Sequence, residues 1–135
     1  MVYFITAHEV AHQWFGMQVE AANVQGRHFI LETLSQYAAL TVFKEKCSEE
    51  KVQQFLEMQL EKYTDGKRKE AHVELSLALV ENEAYVYYAK DTLAIYTLQQ
   101  TIGEDKVNLT IKRFLEAWNA IDGTVKTSTK NYTTS

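Results

Sequence analysis

Residues 8 to 12 read His8-Glu9-Val10-Ala11-His12 and run on into Gln13-Trp14-Phe15-Gly16. On a helix, residues four apart lie on one face. A helix here therefore aims two imidazoles at one point, where they can hold one metal ion. Glu9 sits one step round, where it can take a proton from a water beside that ion. The spacing is the H-E-x-x-H zinc signature. The competing reading is a pair of solvated or core-packed histidines on an amphipathic helix.

Composition narrows the rest. A chain of 135 residues supports one small domain with one core. A hydrophobic share of 46% is globular rather than disordered. No apolar run reaches a membrane-spanning length. Met1-Val2-Tyr3-Phe4-Ile5 lacks the basic region and the apolar length of a signal peptide. A net charge of -4 disfavours a phosphate-binding surface, so no nucleic-acid partner is expected. The single cysteine, Cys47, rules out an internal disulfide and reads as a passive thiol at a helix end. It does not identify the compartment, so localisation stays open.

Hydrophobic spacing predicts an almost all-helical chain. The first helix runs from Tyr3 to about Trp14, followed by a loop from Gly16 to Arg27 with Asn23 and Gly26 as breakers. The second spans Phe29 to about Lys46 and is apolar nearly all the way round, the pattern of a helix buried inside something larger. Ser48 is an N-cap for the third, with Glu49 and Glu50 in the first turn. Val52, Phe55, Leu56, Leu60 and Tyr63 form its stripe, and Gly66 closes it. Lys67 to Glu83 alternates weakly and reads as extended. A fourth helix covers about Tyr85 to Ile102 and stops at Gly103. A fifth starts near Glu104 and Asp105, with Val107, Ile111, Phe114, Leu115 and Trp118 on its buried face. Residues 1–123 form the predicted functional subdomain. From Thr124 to Ser135 the polar sequence reads as a loose tail or a truncated loop.

Two histidines leave a zinc ion short of ligands, since a catalytic site normally has three from protein and keeps one position for water. His28 flanks the second helix and His72 lies in a charged segment, and neither has a partner at ligand spacing. Glu32 is the better candidate. It lies early in the apolar second helix, where an unpaired buried carboxylate is costly and a metal ion would compensate it. The alternative role for Glu32 is a favourable charge near the helix start.

Together these residues resemble the aminopeptidase N family of gluzincin metallopeptidases. The likeness rests on His8-Glu9-Val10-Ala11-His12-Gln13-Trp14-Phe15-Gly16 and a glutamate one loop later. Gln13 to Leu31 counts nineteen residues, against the family's usual eighteen. Ala22-Asn23-Val24-Gln25-Gly26 and Leu31-Glu32-Thr33-Leu34-Ser35-Gln36-Tyr37 resemble a bacterial branch whose peptidase domain is attached to membrane-transporter-like segments. The family's Asn-Glu-Gly-Phe-Ala version around the third ligand is absent. The family's Tyr-x-Lys-Gly motif, whose tyrosine serves the transition state, is matched by Tyr88-Ala89-Lys90-Asp91, with aspartate in place of glycine. The resemblance implies that Tyr88 donates to the oxyanion, with Tyr85 and Tyr87 as second choices. From the residues alone, Tyr88 shares a helical face with Ile95, Leu98 and Ile102 and has a structural role.

The resemblance covers roughly residues 1 to 120 and implies a mostly α, thermolysin-like helical catalytic subdomain, with the H-E-x-x-H helix and a second ligand-bearing helix. It implies one zinc ion on His8, His12 and Glu32, Glu9 as general base, and hydrolysis of a peptide substrate, with aminopeptidase action the family default. The family's Gly-x-Met-Glu-Asn segment, which lines the cleft upstream, is not among the residues before His8. The chain is accordingly expected to be part of a larger peptidase that can be membrane-attached. Alone it is expected to be incomplete in activity and open to self-association. Two other readings stand beside this one. One is a non-catalytic helical module of a membrane-transport system with a vestigial or structural metal site. The other is a hydrolase of another substrate on the same scaffold.

Overall fold

A computed structural model describes residues 2–17, 25, 27–70, 73–80 and 83–130, with side chains as far as 118. Contacts divide the chain into two compact units, Met1–Thr97 and Leu98–Ser135. Every residue singled out above for chemistry belongs to the first. Among the described residues the structure is helical, with no strand. No described helix is long and apolar enough to cross a membrane.

In the first unit, α1 spans Val2–Ala11. A π-helical turn over Phe29–Thr33 leads into α2, Leu34–Lys46. Helix α3 covers Glu49–Lys69, a short 3-10 turn covers Leu77–Leu79, and a second π-helical turn at Tyr85–Lys90 leads into α4, Asp91–Ile102. Phe4 of α1, Phe43 of α2 and Phe55 of α3 meet as the centre of the core. Ring centroids lie 4.4 Å apart for Phe4 and Phe55, 5.1 Å for Phe43 and Phe55, and 6.0 Å for Phe4 and Phe43. Aromatic pairs like these add about 0.5–1.5 kcal/mol each beyond the area they bury. Ala39, Leu40, Val52 and Leu56 close the cluster. Helix α1 is thus pinned by one face, while Val2, Tyr3, Ile5, Val10 and Trp14, on α1 and the turn after it, stay exposed among the described residues.

Several sequence expectations need correction. Helix α1 ends at Ala11 rather than near Trp14, giving way to tight turns through Met17. Gly66 does not close α3, which runs on to Lys69. Its φ is not positive; among the described glycines only Gly16 and Gly103 have that conformation. Gly66 is needed for room instead: a Cβ there would fall under 3.0 Å from Cβ, Cγ and Cδ2 of Tyr85. The segment read as extended is irregular over 73–76, then a 3-10 turn, because no neighbouring described strand offers it a ladder. The all-round apolar second helix is only partly enclosed, with Val42 exposed. The loop breakers Asn23 and Gly26, and His72, lie outside the described residues.

The Ser48 cap holds, its hydroxyl accepting from the Lys51 N–H at 3.4 Å. In the second unit, Gly103 has φ +92° and lets the chain turn after α4, as expected. Helix α5 spans Glu104–Lys130 and so continues through Gly123 and the stretch from Thr124 that reads as a loose tail. One glycine inside a helix costs only about 1 kcal/mol, and no proline follows to stop it. Val107 is buried, and Phe114 and Trp118 pair at 6.4 Å on the predicted face.

Gly66→Ala should destabilise the first unit by about 1–2 kcal/mol despite alanine's better helix propensity. The added methyl meets the root of the Tyr85 side chain, which cannot swing away, and overpacking of this kind typically costs more than propensity returns. Chemical denaturation would show a lower midpoint at unchanged slope.

Candidate metal centre

Helix α1 sets the first two candidate ligands. His8 is buried in its last turn. His12 lies just past Ala11, but its N–H still bonds to the His8 carbonyl at 3.3 Å, so both rings stay on one face. Their Nε2 atoms lie 3.0 Å apart. The first π-turn brings Glu32 to the same point, with Oε2 at 3.2 Å from His8 Nε2 and 3.7 Å from His12 Nε2. All three ligand atoms fall within 4.8 Å of one another, which makes them a group that could hold a metal ion. A tetrahedral ion with bonds of about 2.0–2.1 Å separates its ligand atoms by roughly 3.4 Å. The observed edges bracket that value, so the donor set and its spacing fit such an ion. Glu32 Oε2 is buried and has no aligned hydrogen bond, although both imidazoles crowd it.

The tautomer of His12 follows from its other nitrogen. Nδ1 lies 3.0 Å from the Phe15 carbonyl and 3.1 Å from Ser35 Oγ. A carbonyl can only accept, so Nδ1 carries a proton and donates it there. Burial pushes the Glu32 carboxyl up, but the contact with His8 and the nearness of His12 outweigh it, and its pKa is lowered. The acid thus stays ionised, as a ligand must.

The second π-turn supplies Tyr88. Its ring lies 6.0 Å from that of His8. Its phenol is pushed up to about 12, first by burial, then by the charge of Glu32 and the neighbouring Tyr87. Tyr88 therefore remains a proton donor at ordinary pH. Gln36 Nε2 at 3.3 Å and Thr92 Oγ1 at 2.8 Å both donate to the Tyr88 carbonyl, which ties this turn to α2 and α4. Glu9 is exposed and, with His8 and Tyr88, lines a cavity of about 620 Å³. Both π-turns thus carry a candidate residue, as such turns often do.

The other candidates are placed elsewhere. His28 stacks on Tyr87 at 4.9 Å and 13°, and is not in the metal-ligand group found among the described residues. Tyr85 packs against Gly66 and lies 6.0 Å from Tyr63. It lines the cavity, and its phenol is raised to about 12 by burial and by Glu70. Tyr87 is taken up by His28 and Tyr88.

Ser35 behind His12 and the partner of Asp91 were not foreseen. Asp91 is buried and its Oδ2 accepts from the Thr33 hydroxyl, which links the turn carrying Glu32 to the start of α4. The one sequence signal was an acid where the Tyr-x-Lys-Gly pattern has glycine. Burial raises Asp91 to about 6, against the opposing Thr33 hydrogen bond and Lys90.

Fold and site together define a helical domain with a group of two histidines and one carboxylate that could hold a metal ion. The family model described as the Peptidase family M1 domain matches residues 1–131, and the chain belongs to that family. Comparisons with curated proteins and with solved structures returned no match.

A pH dependence of stability follows from Asp91. Its folded pKa of about 6 lies above the ordinary 3.8, so folding takes up a proton between these values. The stability it contributes is fully present below about pH 3.8 and is lost as pH rises through about 6. The loss should approach roughly 3 kcal/mol at full ionisation. Denaturation of metal-free protein across this window should show the decline, and Asp91→Asn should flatten it.

Proposed function

We propose that residues 1–123 form the catalytic part of a zinc-dependent peptidase of aminopeptidase type, with His8, His12 and Glu32 holding one zinc ion. The observation that carries this reading is the convergence of those three ligand atoms, with His8 also lining a cavity that Glu9 and Tyr88 share. A structural metal site has no use for a free carboxylate and a protonated phenol at its open side. Membership of the peptidase family supports the same reading.

Zinc bound there supplies Lewis acidity, polarising the scissile carbonyl and making water a competent nucleophile near neutral pH. Glu9 takes a proton from the water that adds to the carbonyl carbon, then delivers it to the amine as the carbon–nitrogen bond breaks. The Tyr88 phenol donates a hydrogen bond to the carbonyl oxygen as that oxygen gains charge. The Phe15 carbonyl and Ser35 keep the His12 ring in its working tautomer, and Thr33 with Asp91 holds the Glu32 turn against α4.

Glu32→Ala and His12→Ala should each lose most of the zinc, read by elemental analysis. Full zinc in Glu32→Ala would remove that residue from the ligand set.

Glu9→Gln and Tyr88→Phe should keep the metal and lose turnover by on the order of a hundredfold or more. Peptide hydrolysis at matched zinc content measures this. Near-normal turnover in Tyr88→Phe would pass its role to Tyr85, which lines the same cavity.

A further inference from the structure

Lys90, the last residue of the second π-turn, belongs to the Tyr-x-Lys pattern but has no part in the chemistry assigned to Glu9 and Tyr88. Residues two apart on a helical turn do not share a face. Tyr88 accordingly meets the His8 ring, whereas Lys90 leaves the turn toward α3 and the stretch that follows it. Its ammonium donates to Glu74 Oε1 and lies 5.8 Å from the centre of the Tyr63 ring. Glu74 Oε2 accepts from the Tyr63 phenol at 2.9 Å and meets Lys67 Nζ at 3.0 Å. One carboxylate thus collects donors from α3 and from the π-turn. Burial works against its charge, but Lys90, Lys67 and Tyr63 outweigh burial and bring the Glu74 pKa down to about 2. Glu74 lies in the irregular stretch 73–76, where Val73 is 90% exposed and Leu75 46%. At this end the stretch is therefore fastened by charge rather than by apolar packing.

Tyr88 needs such a fixture. Its side chain is 40% exposed, so little packing holds the ring, and its place is set by the backbone of its turn. Val86 and Ala89 bury one side of that turn. Apolar contact is non-directional, however, and leaves rotation about the turn's axis loosely set. We propose, resting on the role given to Tyr88 above, that Lys90 and Glu74 are positioning residues, whose ion pair fixes the rotation of the second π-turn and so aims the Tyr88 phenol at His8, His12 and Glu32. A group that serves a transition state must be held to within about 0.5 Å. A displacement of about 1 Å can cost a hundredfold in rate. The pair itself is partly exposed, 31% for Lys90 and 10% for Glu74, and pairs of this kind add little to stability. Breaking it should leave the fold and loosen the phenol.

The test is carbon-13 NMR of the whole chain with labelled tyrosine rings, the Tyr88 signal being assigned by its loss in Tyr88→Phe. In Lys90→Met and in Glu74→Gln the Tyr88 signal should shift or broaden. The signal of Tyr37, buried on α2, should stay in place and report an intact core. Lys90→Arg, which keeps a donor for Glu74, should restore the original Tyr88 signal. With a peptide substrate, Lys90→Met should lower kcat by about tenfold or more at unchanged KM and zinc content, because the phenol is needed only as the carbonyl oxygen gains charge. In a Tyr88→Phe background the same change should cost nothing further. A Tyr88 signal unmoved in Lys90→Met overturns the proposal, as does a loss of kcat that persists in full without the Tyr88 hydroxyl. If Lys90→Met moves Tyr37 as well, Glu74→Gln gives the same readout, and a shift of Tyr37 in both overturns the proposal in favour of a role in the core. If Tyr88 moves as expected while the unaltered protein hydrolyses no peptide, the peptidase reading fails and the positioning of Tyr88 stands. Robust hydrolysis with an unmoved Tyr88 gives the reverse.

Discussion

Three electron-rich atoms, two imidazole nitrogens and a carboxylate oxygen, are held within 4.8 Å of one another in a largely buried place. Left to themselves, such atoms separate or take up protons, because an uncompensated buried carboxylate is costly. The rest of the first unit is arranged to keep them together. The Phe4, Phe43 and Phe55 cluster locks α1, α2 and α3. Since Phe4 and His8 are four residues apart on α1, the ring that anchors the core also fixes the azimuth of the imidazole. Core packing and ligand geometry are thus one constraint seen from two ends of a single turn.

A second set of ties places what surrounds the ligands. Each π-turn is tied to the other's helix by a polar contact: the Thr33 hydroxyl to Asp91 of α4, and the Gln36 amide of α2 to the Tyr88 carbonyl. Glu32 lies on the first of these turns and Tyr88 on the second, and both approach the imidazoles. The aspartate that departs from the Tyr-x-Lys-Gly pattern is part of this arrangement. In the sequence it looks like an intrusive charge one turn from Tyr88. In the fold it is buried, bonded to Thr33 and shifted toward its neutral form.

Where sequence expectations failed, a local rule met a tertiary one. Glycine is a frequent helix terminator, yet Gly66 stays helical because Tyr85 needs the space its side chain would fill. Alternating Val73, Leu75, Leu77 and Leu79 matched a strand, but a strand needs an adjacent edge to pair with, and none is present among the described residues. Weak alternation without a partner resolved into irregular chain and a 3-10 turn. The polar stretch after Gly123 offered little to bury, yet nothing in it forbids helix, and α5 continues through it.

The sequence by itself determined the helical class, the Ser48 and Gly103 boundaries, and the pairing of His8 with His12, because these follow from spacing and from residues acting on their immediate neighbours. It also marked Glu32 as an acid out of place in an apolar helix. Only the tertiary structure decided that Glu32 reaches both imidazoles and that His28 lies against Tyr87, outside that ligand group. It alone brought Ser35 behind His12, and placed Lys90, Lys67 and Tyr63 around Glu74. Those relations join residues far apart in the chain, such as Thr33 with Asp91 and Gln36 with Tyr88. They depend on how whole helices dock, and no local pattern carries that information.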